Sequence, residues 1–303
     1  MSVCRAHVTR TTPKEDRTFH FAYLSALQFV GFAVLPGLGG VLAALPTVNV
    51  FGFMELNAFT YPGLVLLLTN VLVIFLLYWY YLDPPEEVSR HKPTQSSAQS
   101  QTPMPDDSPD WLALMCCLLI NVCFRGVVAE LETLASPVLM ETFDEDVETS
   151  SYVIGSLGFI GLFVYFGFKP IARTFSDRQL VFVGLVLISL GNLLLYQRLF
   201  PLPLWLYATG LGLIWSLAYP LGQTAVLSLF SKILAGLPAG GFLGIFSACG
   251  SLARVIFATF SGLVWSYFGS TAVFGLTSLY GVLMMLLTLV IYSRLVPARQ
   301  TLP

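Results

Sequence analysis

The amino-acid sequence predicts an all-α, polytopic membrane protein with about eight transmembrane helices. Of its 303 residues, 56% are hydrophobic and only 11% are charged, and the mean hydropathy is +0.77. A soluble globular domain carries about 25% charged residues. Several apolar segments also reach the roughly 20 residues that cross about 30 Å of hydrocarbon. Together these observations exclude a soluble globular domain and make the lipid bilayer the first predicted partner.

Eight apolar segments are the predicted spans, and prolines, glycines and polar clusters separate them. They lie near residues 19–45, 58–82, 111–134, 150–172, 179–198, 203–230, 239–265 and 270–293. Residues 83–110 are rich in Pro, Ser and Gln, a composition typical of a disordered linker. This linker divides the chain into a two-helix part, residues 1–82, and a six-helix part, residues 111–303.

The basic residues predict how the chain is oriented. If both termini, the linker and the turns at 173–178 and 231–238 share one side, twelve of the 15 Lys and Arg residues lie there. These are Arg5, Arg10, Lys14, Arg17, Arg90, Lys92, Lys169, Arg173, Arg178, Lys232, Arg294 and Arg299. The opposite side carries only Arg198. Because Lys and Arg accumulate in cytosolic loops, the linker and both termini are predicted to be cytosolic, and the acidic run at 141–148 to face a lumen or the exterior.

The sequence offers no pattern for catalysis or for metal binding. Four of the five cysteines lie inside apolar segments, and the three histidines are scattered. No catalytic triad, phosphate loop or zinc spacing occurs. We therefore expect a protein that is not an enzyme and that uses no cofactor, no metal and no nucleic acid. The oligomeric state stays open.

Four charged residues lie within apolar segments: Arg125, Glu130 and Glu132 in the third, and Arg254 in the seventh. A charge such as Arg at a helix centre costs about 2.5–3.5 kcal/mol when it faces lipid, so such residues pair or face a wet cavity. Arg125 and Glu132 are seven apart and share a helix face. We predict that both face an inner cavity and are compensated there directly or through Arg254. The alternative is a purely structural role, in which an ion pair fixes the packing of the helices.

Glu130 lies about 160° around the helix from Glu132. We therefore predict that it occupies another environment, near the luminal surface. Arg254 has Ser247, Gly250 and Ser251 at three- and four-residue spacings. A small, polar face of this kind suits either a cavity or tight helix packing.

The sixth predicted span contains Tyr219 and Gln223 beside Pro220 and Gly222. A bent or broken helix at this point could line a cavity, although ordinary packing is the competing interpretation. Asn121, in the third span, is predicted to hydrogen-bond between helices.

The segment "CRAHVTRTTPKEDRTFHFAYLSALQFVGFAVLPGLGG" resembles the fifth helix of a major facilitator superfamily transporter and the loop before it. The family motif is a run of glycines ending in Gly-Pro-x-x-Gly-Gly. Gly31, Pro36, Gly39 and Gly40 match it, and Leu35 departs from it. Small residues of this kind let helix backbones approach closely, and proline bends the helix.

Further segments resemble later helices of the same family. "SDRQL" (176–180) resembles the turn between helices eight and nine, and "AYPLGQTAVLSLFSKI" (218–233) resembles the tenth helix. "GGFLGIFSACGSLARVIFATFSGLVWSYFGSTAVF" (240–274) resembles the eleventh helix and the start of the twelfth. "ELET" (130–133) lies in the segment that would be the family's seventh helix. Together, these segments are similar to a lysosomal branch of the superfamily.

The resemblance implies a partial major facilitator fold, with helices five to twelve and without the first four. Residues 1–82 would be the remnant of the first half, and residues 111–303 the second six-helix half. It further implies a transporter in a lysosomal or endosomal membrane, for chloride or a small anionic solute. Arg125 and Arg254 would give the path a positive potential, with Tyr219, Gln223, Ser251 and Glu130 as further candidates. The alternatives are a proton-coupled organic solute carrier with Glu132 as the proton site, and a truncated membrane protein that transports nothing.

Overall fold

A computed structural model describes residues 4–5, 7–8, 12, 16–43, 45–50, 54–57, 60–80, 110–196, 203–234 and 237–295. In chain order the elements are α1 (Arg17–Ala43), β1 (Val48–Val50), β2 (Met54–Leu56), α2 (Thr60–Tyr80), α3 (Trp111–Phe143), α4 (Val147–Phe166), α5 (Phe168–Thr174), α6 (Asp177–Leu195), α7 (Leu204–Gly212), a π-helix (Leu213–Ala218), α8 (Tyr219–Ile233), α9 (Ala239–Phe268) and α10 (Ser270–Ile291). All of the predicted linker except Asp110 lies outside the described residues.

Seven helices in the described part of the chain are long and apolar enough to cross a bilayer. They are α2, α3, α4, α6, the continuous α7–π–α8 rod, α9 and α10, and they coincide with seven of the predicted spans. The remaining predicted span, 19–45, coincides with α1, which is 27 residues long. The all-α polytopic membrane fold is therefore confirmed.

Helix α3 lies at the centre of the six-helix part. Phe124 and Leu131 are fully buried, and the buried positions continue along most of the helix. It packs against α8, α9 and α10, while α6 packs against α8 and α10. The outer faces of these helices expose large apolar side chains, for example Val255 and Phe260 on α9. Such a surface suits contact with lipid.

Helix α1 joins the six-helix part, whereas α2 has no buried residue. Phe21 and Phe29 of α1 are buried where it packs against α4 and α8. The Phe29 ring lies 5.4 Å from the Tyr165 ring and 6.3 Å from the Tyr219 ring, measured between centroids. These aromatic contacts anchor α1 to the rest of the molecule.

Close helix approach occurs at glycines in the six-helix part, and not at two of the predicted motif glycines. A Cβ added to Gly184 of α6 would lie 2.9 Å from the Cα of Gly222 on α8. A Cβ added to Gly31 or Gly39 would meet no atom within 4 Å. The close contact predicted for these two glycines is wrong for the described residues, because α1 packs through its Phe21 and Phe29 side.

The surroundings of Pro36 and Gly40 lie outside the described part, so the motif's packing role is untested there. The helical backbone nevertheless continues through both positions.

The helices differ most from the predicted spans at the end of α3 and within the predicted span 150–172. Helix α3 continues to Phe143, beyond the predicted end near 134, and α4 begins at Val147. The acidic run therefore forms the junction of two helices, where the Thr149 backbone N–H donates to Asp146 at 2.7 Å. This bond lowers the pKa of Asp146. The predicted span 150–172 is interrupted at Gly167, which separates α4 from α5.

A short antiparallel hairpin was not predicted. Strands β1 and β2 pair Val48 with Leu56 and Val50 with Met54, between α1 and α2. Each strand has only three residues, which leaves the all-α class unchanged.

A candidate ion and substrate pathway

The central charged contact joins α3 to α9. The guanidinium of Arg254 donates a hydrogen bond to the Glu132 carboxylate. The two side chains are 31% and 20% exposed. The other carboxylate oxygen, Oε1 of Glu132, is buried without a hydrogen-bond donor in the described part of the chain. Glu132 is thus compensated through Arg254, one of the two arrangements that the sequence suggests.

Arg125 lies on the same side of α3 and packs against Gly250 of α9. A Cβ at Gly250 would lie 3.1 Å from Cγ and 3.3 Å from Nε of Arg125, so the glycine makes room for this side chain. Arg125 interacts electrostatically with Glu132. However, its Nε is buried without an acceptor, and no described residue forms an ion pair with it. Among the described residues, Arg125 therefore has an anionic neighbour, Glu132, but forms no ion pair with it.

Arg5 belongs to this region, although sequence reasoning placed it among the cytosolic basic residues. Its side chain is only 3% exposed, and it interacts electrostatically with Arg125, Tyr165 and Tyr219. Burial of the charged group, followed by repulsion from Arg125, lowers the pKa of Arg5. No pattern in the polar segment around residue 5 signals this position. The region consequently has more positive potential than the sequence indicated.

A chain of amide hydrogen bonds lies next to the arginine region. Nε2 of Gln223 donates to Oδ1 of Asn121 at 3.0 Å, and Nδ2 of Asn121 donates to the Phe246 carbonyl at 2.8 Å. These bonds link α8, α3 and α9, as predicted for Asn121. Gln223 is only 3% exposed, so in this conformation it is a packed interhelical residue rather than the wall of an open cavity.

Tyr219 stands directly after a local irregularity in an otherwise continuous helix, at the place where the sequence predicted a bend or a break. It follows the π-helix Leu213–Ala218, a local irregularity that is frequent at functional sites. Its side chain is 5% exposed and stacks on Phe29 of α1. Tyr219 therefore forms part of the contact between α1 and the six-helix part.

The predicted small, polar face of α9 is divided in the structure. Gly250 is buried against Asn121 and Arg125, and the Ser247 hydroxyl oxygen is buried without a partner among the described residues. Ser251 is exposed. Only the Ser247–Gly250 side of this face therefore contributes to the interior.

The prediction that Glu130 lies near the luminal surface is wrong. Glu130 is 2% exposed, and its Oε2 accepts a hydrogen bond from Oγ1 of Thr277 on α10 at 2.6 Å. Its Oε1 is buried without a donor among the described residues. The reason is that α3 continues for more than three turns after Glu130, so the residue lies well inside the helix.

A second polar network, which sequence reasoning missed, ties α1 to the ends of α6 and α8. Nζ of Lys232 lies 2.7 Å from Oδ2 of Asp177 and donates to Oγ1 of Thr18 at 2.8 Å. The Ser228 hydroxyl donates to Asp177 at 3.0 Å and lies 2.6 Å from the Thr18 hydroxyl. "SDRQL" was the only sequence signal for Asp177. We call these four residues the Asp177 network.

An apolar helical bundle with an ion pair and a further arginine between its helices is typical of a polytopic membrane protein that carries a substrate or ion path. Comparison with known proteins agrees. The family model of the Major Facilitator Superfamily matches residues 1–240, and the chain therefore belongs to that superfamily, whose members are transporters.

A curated relative covers almost the whole chain. It is the major facilitator superfamily domain-containing protein 8 of Xenopus laevis, which is 22% identical over an alignment of 357 positions. The alignment covers 98% of this chain and 70% of the relative. It extends across α9, and therefore across Arg254, which lies beyond the range of the family model.

Proposed function

We propose that this transporter carries chloride or a small anionic solute across a lysosomal or endosomal membrane. The observation that carries the proposal is Arg125, a half-buried cation that forms no ion pair with a described residue, because its acidic neighbour Glu132 is held by Arg254. A charge inside a membrane protein is costly unless something compensates it. A transported anion would supply that compensation whenever it occupies the site.

The neighbours of Arg125 also favour a negatively charged substrate. Arg254 is occupied by Glu132, and Arg5 adds a further positive field close to Arg125. An anion beside Arg125 would lie close to the guanidinium groups of both Arg125 and Arg5, and positive side chains of this kind line anion paths. The endolysosomal location is inferred from the family branch that the sequence resembles. The same resemblance implies that the substrate moves by rocking of two halves around a central site.

Anion flux into proteoliposomes tests this function. Arg125→Gln should lower anion affinity by about 10- to 100-fold, because a hydrogen bond to a charged group is worth about 1.5–3 kcal/mol. Arg125→Lys should retain part of the flux. Arg294→Gln is the matched control, since Arg294 is an exposed arginine whose ion-pair partner is Asp110.

We expect Arg254→Ala to abolish most flux as well, but this variant also removes the partner of Glu132, so Arg125 is the cleaner test. Normal flux in Arg125→Gln, with normal protein abundance, would contradict the assigned site. Absence of anion-dependent flux in the unsubstituted protein would favour the non-transporting alternative.

A proton-coupled carrier is the second candidate, and Glu130 favours it. A buried carboxyl with no described cationic partner is costly to ionise, so it would hold a proton and exchange it only when the site opens to water, which suits a coupling site. In the same proteoliposomes, solute uptake should then follow an imposed pH gradient and lose that dependence in Glu130→Gln. If Glu132→Gln alone abolishes the dependence, the proton site is Glu132, as the sequence suggested.

A further inference from the structure

We propose that a basic cavity at the cytosolic end of the bundle binds the phosphate-bearing headgroup of an anionic phospholipid. The cavity has a volume of about 510 Å³, within the usual range of about 300–1,000 Å³ for small-molecule sites. It is formed by the start of α1, by α5, by the start of α6 and by the end of α8. Its cytosolic position follows from the predicted orientation.

The charges that line this cavity favour an anion. Four basic side chains, Lys169, Arg173, Arg178 and Lys232, stand against two acidic ones, Asp16 and Asp177. Lys232 neutralises Asp177 at 2.7 Å. The other three basic groups are held by no described carboxylate.

Two of these three are positioned by aromatic rings. Nζ of Lys169 lies 5.0 Å from the centroid of the Phe19 ring, and Cζ of Arg178 lies 4.8 Å from that of Tyr292. Both contacts place a cation without neutralising it. Arg173, at the end of α5, is exposed and makes no hydrogen bond or ion pair with a described residue. Headgroup phosphates would supply acceptors for all three.

An adjoining groove lined mainly by aromatic side chains favours a lipid over a free anion. A smaller cavity of about 90 Å³ shares Phe19 and Lys169 with the basic cavity and is otherwise lined by Ala22, Tyr23, Tyr165 and Phe166. Beyond it, Phe163 and Leu27 are 73% and 71% exposed on α4 and α1. A free phosphate would use only the charged part. A phospholipid would place its headgroup there and its acyl chains along this aromatic surface, as in basic pockets between helix ends at the cytosolic face.

The test is binding of a phosphatidylinositol bisphosphate to the full chain, purified in neutral detergent and followed by native mass spectrometry. Lys169→Gln and Arg173→Gln should each weaken binding by about fivefold, the effect of one basic residue at an anionic lipid surface. Arg294→Gln removes one exposed charge outside the cavity and should bind as the unsubstituted protein does. Thermal unfolding without lipid should be the same in all four proteins.

Further arms distinguish the source of the phosphate. Equal weakening in all three variants would mean diffuse surface attraction and would overturn the proposal. Soluble inositol phosphate or inorganic phosphate that binds as tightly as the diacyl lipid would also overturn it, in favour of a soluble-anion site. In the unsubstituted protein, the lipid should slow amide hydrogen exchange across residues 169–178. No slowing there would contradict the site independently of any variant.

Discussion

At the scale of single residues, Glu132 and Arg254 are expected to act as a unit. Each is partly withdrawn from water, so removal of one leaves a poorly hydrated charge. Glu132→Gln should cost about 3 kcal/mol of stability, the lower end of the range for breaking a buried pair, because both groups retain some exposure. Adding Arg254→Gln should restore part of this loss. Thermal unfolding in lipid of the two single variants and the double variant measures the coupling.

A second double-mutant cycle combines Arg125→Gln with Glu132→Gln. Arg125 interacts with Glu132 electrostatically but makes no hydrogen bond to it. Its coupling energy should therefore be smaller than that of Arg254. Strict additivity between Glu132 and Arg254, or a stronger coupling to Arg125, would show that the described ion pair does not dominate stability.

Glu130 is expected to behave differently, because Thr277 is its hydrogen-bond donor and no described cation faces it. Burial of an uncompensated charge is costly, so this site favours the neutral acid. Glu130→Gln keeps an acceptor for Thr277 without a charge and should change stability by no more than about 1 kcal/mol. The comparison variant Thr277→Val removes the donor and should cost about 1–3 kcal/mol. A larger loss from Glu130→Gln than from Thr277→Val, measured by thermal unfolding, would indicate an ionised and paired carboxylate.

The charged site could be predicted from the sequence only where helix periodicity and hydropathy were sufficient. The seven-residue spacing placed Arg125 and Glu132 on one face, and the cost of a charge in lipid pointed to Arg254 as a partner. Glu130 was misplaced because its depth in the bundle depends on where α3 ends. The hydropathy of the sequence falls near residue 134, whereas the helix continues to Phe143. Arg5 could not be found, since its burial comes from tertiary folding of a polar segment.

At the scale of elements, long apolar helices were predictable and their irregularities were not. Hydropathy located the spans because about 20 consecutive apolar residues have few other uses. The π-helix before Tyr219 could not be predicted without its tertiary contacts. For example, the Ser216 hydroxyl donates to the Leu157 carbonyl of α4 at 2.6 Å. The three-residue strands of the hairpin are too short to give a sequence period.

The contact between α6 and α8 gives a prediction for these helices. Gly184 and Gly222 face each other, and a Cβ at Gly222 would enter the fully buried Phe124 ring. Gly222→Ala should therefore cost about 1–3 kcal/mol, since overpacking forces side chains or backbones to shift. Gly262→Ala is the control, because a Cβ there meets nothing within 4 Å. It should be neutral or stabilise α9 by up to about 1 kcal/mol. Equal melting temperatures for both variants would contradict the described packing.

At the scale of the whole molecule, α1 is the described connection between the two parts that the predicted linker separates. It is held by the Phe29 ring contacts and by the Asp177 network. If the two parts rock against each other during transport, these contacts must loosen together. The division at residues 83–110 stays a prediction, since nearly all of that segment lies outside the described residues.

Orientation in the membrane is the broadest prediction, and it rests on twelve basic residues on one side against Arg198 on the other. The buried position of Arg5 removes one residue from the larger group and leaves the asymmetry intact. A short tag inserted near Ser97 should react with an impermeant probe only when the cytosolic face is open, because Lys- and Arg-rich loops stay on that side. A tag at the exposed junction near Asp146 should react only from the opposite face, and its insertion must preserve the N-cap bond to Thr149. Reaction of both tags from one face would overturn the orientation, and with it the cytosolic position of the basic cavity.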